Sequence, residues 1–372
     1  MIGVISHASD PHAAVVLDRL RSAGASAVLL DTADLPSRAA LTSTQDPETG
    51  WAGTWQGSHG EVALGDLHAM WWRRPQPFTV DERITRGQDQ HFALGETAAM
   101  VAGLWSCLEA HWVNDPVRDE AASAKMLQLK RARECGLSIP RTCMTNDPAR
   151  AREFLESVSG RAVFKPFSAT PSTWRETRPV RAEDEALLDT VALAPVIFQE
   201  RIDGGVDVRV TVVGSRQFPA RIEVSDPRFE FDVRLDTDAA RITTCDLPSD
   251  VAAGLGRLMH SLGIVYGAAD FRVTADGELK FLEVNPAGQW LFVEMETGQP
   301  ISAALADHLL AADRARSGQQ AERGETEEPP HLEPSDRTVP GGGGRPDKVG
   351  AQGSTEHTPD GQQDRDAVRQ RG

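Results

Sequence analysis

Asp276-Gly277, set between two alternating apolar runs, constrains this chain more than any other stretch. Such a pair is the strongest short-range signal for a β-hairpin, because tight hairpin turns need residues that tolerate positive φ. The hairpin spans Tyr266 to Pro286. Counting outward from a two-residue turn sets Thr274 opposite Leu279, Arg272 opposite Phe281 and Asp270 opposite Glu283. Side chains alternate along a strand, so Phe271, Val273, Leu282 and Val284 share one face, and Asp270, Arg272, Glu283 and Asn285 the other. The first face is core. The second gathers two carboxylates, a carboxamide and a guanidinium.

Like charges directly opposite on a sheet repel, so Asp270 facing Glu283 calls for a cation between them. Hard oxygen donors at this spacing suit magnesium, which keeps an octahedral shell and shares it with phosphate oxygens. Arg272 on the same face matches phosphate geometry. The alternative is a surface hairpin whose polar face is solvated. The order Asp-x-Arg, hairpin, Glu-x-Asn, Pro-x-Gly resembles the metal-binding end of the ATP-grasp ligases. Within them, Glu283 to Trp290 (Glu-Val-Asn-Pro-Ala-Gly-Gln-Trp), then Glu294 and Thr297-Gly298-Gln299-Pro300-Ile301, is similar to the ribosomal peptide maturases, the microviridin-type or graspetide ligases. The resemblance covers about residues 1 to 312. It implies an α/β (α+β) chain with an ATP-grasp fold, an N-terminal α/β pre-ATP-grasp domain, and ATP and Mg²⁺ as cofactors.

A chain of 372 residues has room for two or three domains. Its net charge of -16 argues against a nucleic-acid partner, which needs a basic face. Four cysteines without Cys-x-x-Cys and ten histidines without His-Glu-x-x-His speak against zinc or haem and for reduced thiols. No apolar run reaches membrane-span length and no basic segment precedes the first strand, so a cytoplasmic protein with no membrane partner is expected.

The expected parts are an N-terminal α/β domain (1–115), a central subdomain with a lid (116–197), a C-terminal subdomain with the metal site (198–312) and a disordered tail (313–372). Met1 to Ser6 reads as a strand. Asp10-Pro11 opens a helix that Gly24 stops, and Ser26 to Asp31 reads as a second strand, a β-α-β start without a dinucleotide fingerprint. Trp51 to Gln56 and Glu61 to Leu64 read as a hairpin. Trp71-Trp72-Arg73-Arg74-Pro75 ends a strand and is similar to the maturases' Trp-x-Arg-Arg-Pro signature; the residues themselves give Arg73 and Arg74 no role beyond contacts to an acidic peptide or a neighbouring subunit. Gln90 to Ala110 has helical spacing and should pack on this sheet. Asp115-Pro116 marks a boundary.

A single helix from about Arg118 to Cys135, capped by Gly136, carries Lys125. Asn114, Pro116, Lys125, Gly136, Leu137, Ile139, Pro140 and Thr142 fit the maturase pattern, in which this lysine helix orients the nucleotide domain. Lys165 lies in the strand Val-Phe-Lys-Pro-Phe, where a charge needs a partner or ligand unless it snorkels to the surface. The resemblance makes it a phosphate-binding lysine. Ser168 to Thr177, with Arg175, has the polar character of a lid. By the same resemblance Gln199, Glu200, Arg201 and Ile202 form the hinge that holds adenine, with Glu200 and Asp203 or Asp207 towards the ribose. Arg209 shares a face with Asp207 and Thr211, which suits a phosphate or an ion pair with Asp207. Asp232 and Arg234 match the maturases' Asp-Trp-Arg, with Val233 in place of Trp, and imply contact with a precursor leader helix. Ser249 to Leu262 and Ile301 to Ala312 read as helices, and from about Arg314 too little apolar surface remains to fold.

The implied chemistry is phosphoryl transfer followed by acyl transfer. Asp270, Glu283 and Asn285 hold magnesium, while Lys125, Lys165, Arg209 and Arg272 hold the phosphates. A side-chain carboxylate of a ribosomal precursor peptide (a leader followed by a core with Thr, Ser or Lys and Asp or Glu) becomes an acyl phosphate. A Thr or Ser hydroxyl, or a Lys amine, then closes an ω-ester or ω-amide. An ATP-grasp ligase joining an amino acid to a peptide or small metabolite is the alternative, and a non-catalytic nucleotide-binding module a second. The resemblance also suggests a homodimer.

Overall fold

The computed structural model describes residues 1–58, 60–167, 177–204, 206–224 and 240–326. The chain begins with β1 (Ile2–Ile5), α1 (Pro11–Ser22) and β2 (Ala27–Leu30). Asp10 caps α1 through the His12 amide and Pro11 occupies its first turn, as read from the sequence. Next come β3 (Ala40–Asp46), β4 (Gly50–Gly57) and β5 (Gly60–Ala63), a three-stranded antiparallel sheet. The hairpin β4–β5 was legible. β3 was not, because its Thr-Ser-Thr-Gln-Asp run is almost wholly exposed and carries no apolar alternation. β6 (Ala69–Trp72), α2 (Gly87–Cys107) and β7 (His111–Val113) complete the N-terminal part, and the parallel sheet runs β2-β1-β6-β7.

β1 is buried along its whole length, as expected of a central parallel strand covered on both faces. Trp71, Val4 and Ile2 join α1 in one core. On the opposite face Trp55, Trp105, Met70 and Leu104 pack beneath the small antiparallel sheet. Only the C-terminal half of α2 takes part, through Val101, Leu104 and Trp105, while Phe92 is 70% exposed.

The helix expected from Arg118 to Cys135 is two helices, α3 (Pro116–Ala122) and α4 (Lys125–Glu134). The break at Ser123-Ala124 makes Lys125 the first residue of α4. β8 (Thr142–Thr145), α5 (Pro148–Ser157), β9 (Ala162–Lys165), β10 (Arg178–Pro179) and β11 (Val196–Glu200) follow, forming an antiparallel sheet in the order β10-β9-β11-β8. Leu155, Leu188 and Phe198 lie in its core, between α5 and the 3₁₀ stretch Ala182–Leu193.

The last part contains β12 (Val206–Val213), β13 (Arg216–Val224), β14 (Ala240–Thr244), α6 (Ser249–Leu262), β15 (Tyr266–Val273), β16 (Leu279–Asn285), α7 (Leu291–Thr297) and α8 (Ile301–Thr326). Its antiparallel sheet runs β14-β13-β12-β15-β16. Pro248 stands at the N-cap of α6, whose first residue is Ser249. The amphipathic face of α6 buries Leu255, Leu258, Met259 and Leu262 against Phe271, Phe281 and Val210 of the sheet and Leu129 of α4.

α8 continues past residue 312 into what was expected to be tail. Its polar residues are tied down there: Asp313 accepts from the Met1 amine at 2.8 Å and lies 3.0 Å from His68 Nδ1, and Arg316 donates to Glu109 at 2.6 Å. Residues 327–372 lie outside the described residues.

Candidate active site

The central hairpin forms with a different turn. Thr274 donates its amide to Glu278 O at 2.8 Å, leaving a three-residue loop, Ala275-Asp276-Gly277, with Gly277 at φ +87°. Arg272 therefore faces Lys280, and Phe271 faces Phe281. A bulge between Asp270 and Phe271 then restores the expected register, and Asp270 does face Glu283. The extra residue is Leu282, which lines the site cavity, while Phe281 takes the core place expected for Leu282.

On the other side of β15 lies β12, with Asp207 opposite Arg272 and Arg209 opposite Asp270. Both pairs are ion pairs. Arg272 Nε and Nη2 donate to the two Asp207 carboxylate oxygens at 2.8 and 3.0 Å, and Arg209 Nη1 donates to Asp270 Oδ1 at 3.0 Å. The same-strand pairing of Asp207 with Arg209 is replaced by this cross-strand exchange. Arg272, expected to hold phosphate, is only 7% exposed and binds Asp207 in bidentate fashion, which ties β12 to β15 at the cavity floor. The Asp207 carboxylate, expected towards a ribose, is engaged in the same pair. Arg209 also stacks its guanidinium over Phe292, 5.7 Å from the ring centroid.

Lys125 reaches Glu283 from the start of α4, and its ammonium donates to Glu283 Oε2. Lys165 at the end of β9 is packed among protein groups yet keeps some surface, and it lines the cavity. Burial lowers its pKa; the Glu283 and Asp270 carboxylates oppose that fall and the Lys125 charge adds to it. The two lysines and two carboxylates thus form one charge cluster, of which Lys165, Asp270 and Glu283 line the cavity.

Gln199, Glu200, Arg201 and Ile202 line the same cavity. Gln199 is buried and donates to Thr142 Oγ1 at 3.0 Å, Glu200 donates its amide to Arg141 O, and the Arg201 side chain pairs with Asp203. The cavity measures about 350 Å³ and also admits Arg74, Asn285 and Gln289. A shallower groove of about 830 Å³ between α1 and α8 gathers no such set of converging polar groups.

Arg73 and Arg74 part company. Arg74 is exposed and lines the cavity. Arg73 is completely buried, donating to Asp10 Oδ2 at 3.1 Å and to Ala287 O and Gly288 O at 2.5 and 3.1 Å. Its contacts are with Asp10 and the chain's own 287–288 loop. Asp232, Arg234 and residues 168–176 of the stretch expected to be a lid lie outside the described residues, and its last residue, Thr177, lines the cavity. Sequence reasoning missed Leu282 and Phe292, and it quoted Gln289 within a motif without giving it a place in the cavity.

Asp270 and Glu283, adjacent on the sheet with Asn285 at the end of the same strand, fit magnesium by donor chemistry, since that ion takes one or two carboxylates and completes its shell with water and phosphate oxygens. Among the described residues no three His, Cys, Asp or Glu side chains converge as a metal site.

The MvdD pre-ATP grasp domain model matches residues 1–120. Among solved structures, the macrocyclase MdnB of Microcystis aeruginosa MRC is 29% identical over 83% of this chain and 98% of its own, with a TM-score of 0.72. The macrocyclase MdnC of the same organism, bound with its precursor peptide MdnA, is 26% identical over 83% and 99%, with a TM-score of 0.74. The ATP-grasp ligase PsnB, complexed with a minimal precursor, Mg and ADP, is 25% identical over 84% and 97%, with a TM-score of 0.69. Among curated proteins, none matches the chain. The chain has an ATP-grasp fold, and its sequence and structure align with the peptide macrocyclases of that fold. Among the described residues, no helix is long and apolar enough to cross a membrane.

Proposed function

We propose that this chain is an ATP-dependent ligase that closes macrocycles in a ribosomal precursor peptide. The gathering of Lys165, Asp270, Glu283 and Asn285 in one cavity that Gln199 to Ile202 also line, with Lys125 paired to Glu283, carries the reading. That spacing suits a nucleotide, with its base at the strand and its phosphates at the charged end. The solved relatives carrying Mg and ADP or a precursor peptide support it.

Magnesium held by Asp270, Glu283 and Asn285 would neutralise charge on the transferring phosphoryl group. Lys165 and Lys125 hold the phosphate oxygens, and Arg209 holds Asp270 in place. A substrate Asp or Glu carboxylate oxygen attacks the γ-phosphorus, the bond to the β–γ bridging oxygen breaks, and ADP leaves with that electron pair. A Thr or Ser hydroxyl, or a Lys amine, then attacks the acyl carbon; the bond from that carbon to the phosphate oxygen breaks, and the departing phosphate takes up the nucleophile's proton. Both reacting groups belong to one chain, so the catalytic task is mainly one of positioning. Arg74 and Gln289, which line the cavity with Asn285, suit the incoming carboxylate.

The test is to incubate the protein with ATP, magnesium and the small peptide encoded beside its gene and to follow the peptide's mass. ATP-dependent loss of one water per link is expected, and Glu283→Ala should abolish it. Resistance of the links to mild base distinguishes amides from esters. An unchanged peptide mass, with ADP released only when free amino acids or other small acids are added, would overturn the macrocyclase reading in favour of a small-substrate ligase.

A further inference from the structure

The loop between the metal-site strand and α7, residues 286–291, is held largely by side chains from the first 115 residues. Asn114 Nδ2 donates to Pro286 O at 3.3 Å, and Arg73 donates to Ala287 O and Gly288 O. His12 Nε2 accepts the amides of Trp290 and Leu291, each at 3.2 Å. From within the last sheet, the Tyr266 hydroxyl donates to Gly288 O at 2.6 Å. Helix starts leave amides without intrahelical partners, and here α1 of the N-terminal part supplies the acceptor for the start of α7.

The His12 tautomer follows from these bonds. Nε2 receives two N–H groups, so it carries no proton, and the ring proton sits on Nδ1 facing Asp10 Oδ1 at 3.3 Å. Burial lowers the His12 pKa, with the Asp10 hydrogen bond opposing and the Arg73 charge reinforcing the fall, so the ring stays neutral. Burial alone would raise the Asp10 carboxyl, but bonds from His12 and Ser6 and the Arg73 charge bring it well below the usual carboxylate range. One ionised carboxylate therefore sets both loop-holding side chains: it orients the His12 ring and receives Arg73 Nε at 3.1 Å. The His12 ring also meets Trp290 edge-on, with centroids 5.1 Å apart.

We infer that His12 is a positioning residue of the ligase site, fixing through its Nε2 acceptor the loop that carries Gln289 into the cavity and follows directly on Asn285. The inference rests on the ligase reading above. It makes the N-terminal domain part of the active site, because the loop's backbone is held across the boundary between the first sheet and the last.

The experiment compares wild type, His12→Phe and His12→Gln in the ATP, magnesium and precursor-peptide assay. Gln places an acceptor near the position of Nε2, whereas Phe keeps a ring without one. For His12→Phe, kcat should fall by about tenfold or more while KM for ATP changes little, since small misplacements cost mainly in the chemical step. His12→Gln should recover most of that loss. Hydrogen exchange of the 286–297 segment should be faster in His12→Phe and close to wild type in His12→Gln. A wild type without ATP-dependent turnover defeats the ligase reading itself, and this inference with it. An active wild type with His12→Phe unchanged in kcat or in segment exchange, or with His12→Gln as impaired as His12→Phe, overturns the positioning role alone.

Discussion

Asp119 offers a test of the structure that does not depend on any substrate. It lies in α3, where its carboxyl accepts from Asn114 Nδ2 at 3.2 Å. Burial pushes its pKa from 3.8 up to about 6, against the opposing effect of the Asn114 bond. The folded state therefore keeps the Asp119 proton to higher pH than the unfolded chain does. Stability from this group is fully present below the unfolded value and is lost as pH rises through the folded one. At 1.36 kcal/mol per unit, the shift corresponds to about 3 kcal/mol; because the side chain retains some surface, about 1–2 kcal/mol is the expected effect. Asp119→Asn removes the charge while its amide oxygen still accepts from Asn114. Urea denaturation should find the variant more stable at pH 8 by about 1–2 kcal/mol, with the difference shrinking towards zero near pH 4. Other groups titrate in both proteins and cancel in the comparison. A difference that does not vary with pH, or a variant less stable at pH 8, would refute the buried, proton-retaining carboxyl.

Two further outcomes follow from the cavity. Lys165→Met removes an ammonium whose charge burial disfavours, so the thermal midpoint should hold or rise. Its affinity for ATP with magnesium, read by calorimetry, should weaken about tenfold or more if the amine holds phosphate. Gly288→Ala would bring a methyl to 2.4 Å from Ala268 Cβ, and near Asn285 O and Arg209 Nη2. Denaturation should show a cost of about 2–3 kcal/mol, and turnover should fall because the displaced backbone bears on Asn285.

The sequence announced elements wherever chemistry punctuates it. Asp10-Pro11 and Gly24 bracket α1, Gly136 at φ +83° ends α4, and Gly263 at φ +69° ends α6. Where no such residue stands, the reading failed. Ser123-Ala124 contains no breaker, yet the helix interrupts there: Ala122 O accepts from the Gln128 side chain at 2.6 Å, and Lys125 begins a second helix and pairs with Glu283. β3 and β14 have too little apolar alternation to be seen, and the partners that hold them in place come from other stretches of the chain.

The active-site face shows how a correct result can come from two compensating departures. Asp270 opposes Glu283 as counted, but only because a longer turn shifts the register and the bulge at Leu282 shifts it back. Composition gives no sign of either, since Asp-Gly suits both the two-residue and the three-residue loop. The charges were legible and their partners were not. Alternation placed Asp207 beside Arg209, whereas the antiparallel register of β12 against β15 sets each opposite an ion of the other strand, and that register is a tertiary fact. The same holds more strongly for His12, which meets its loop 278 positions along the chain. Asp10-Pro11-His12 reads as an ordinary helix start, and it is one. That the Asp10 carboxylate, besides capping its own helix, also orients the His12 ring and receives Arg73 follows only from the fold. The first 115 residues therefore hold the loop after Asn285 through residues whose local sequence is fully explained by local structure.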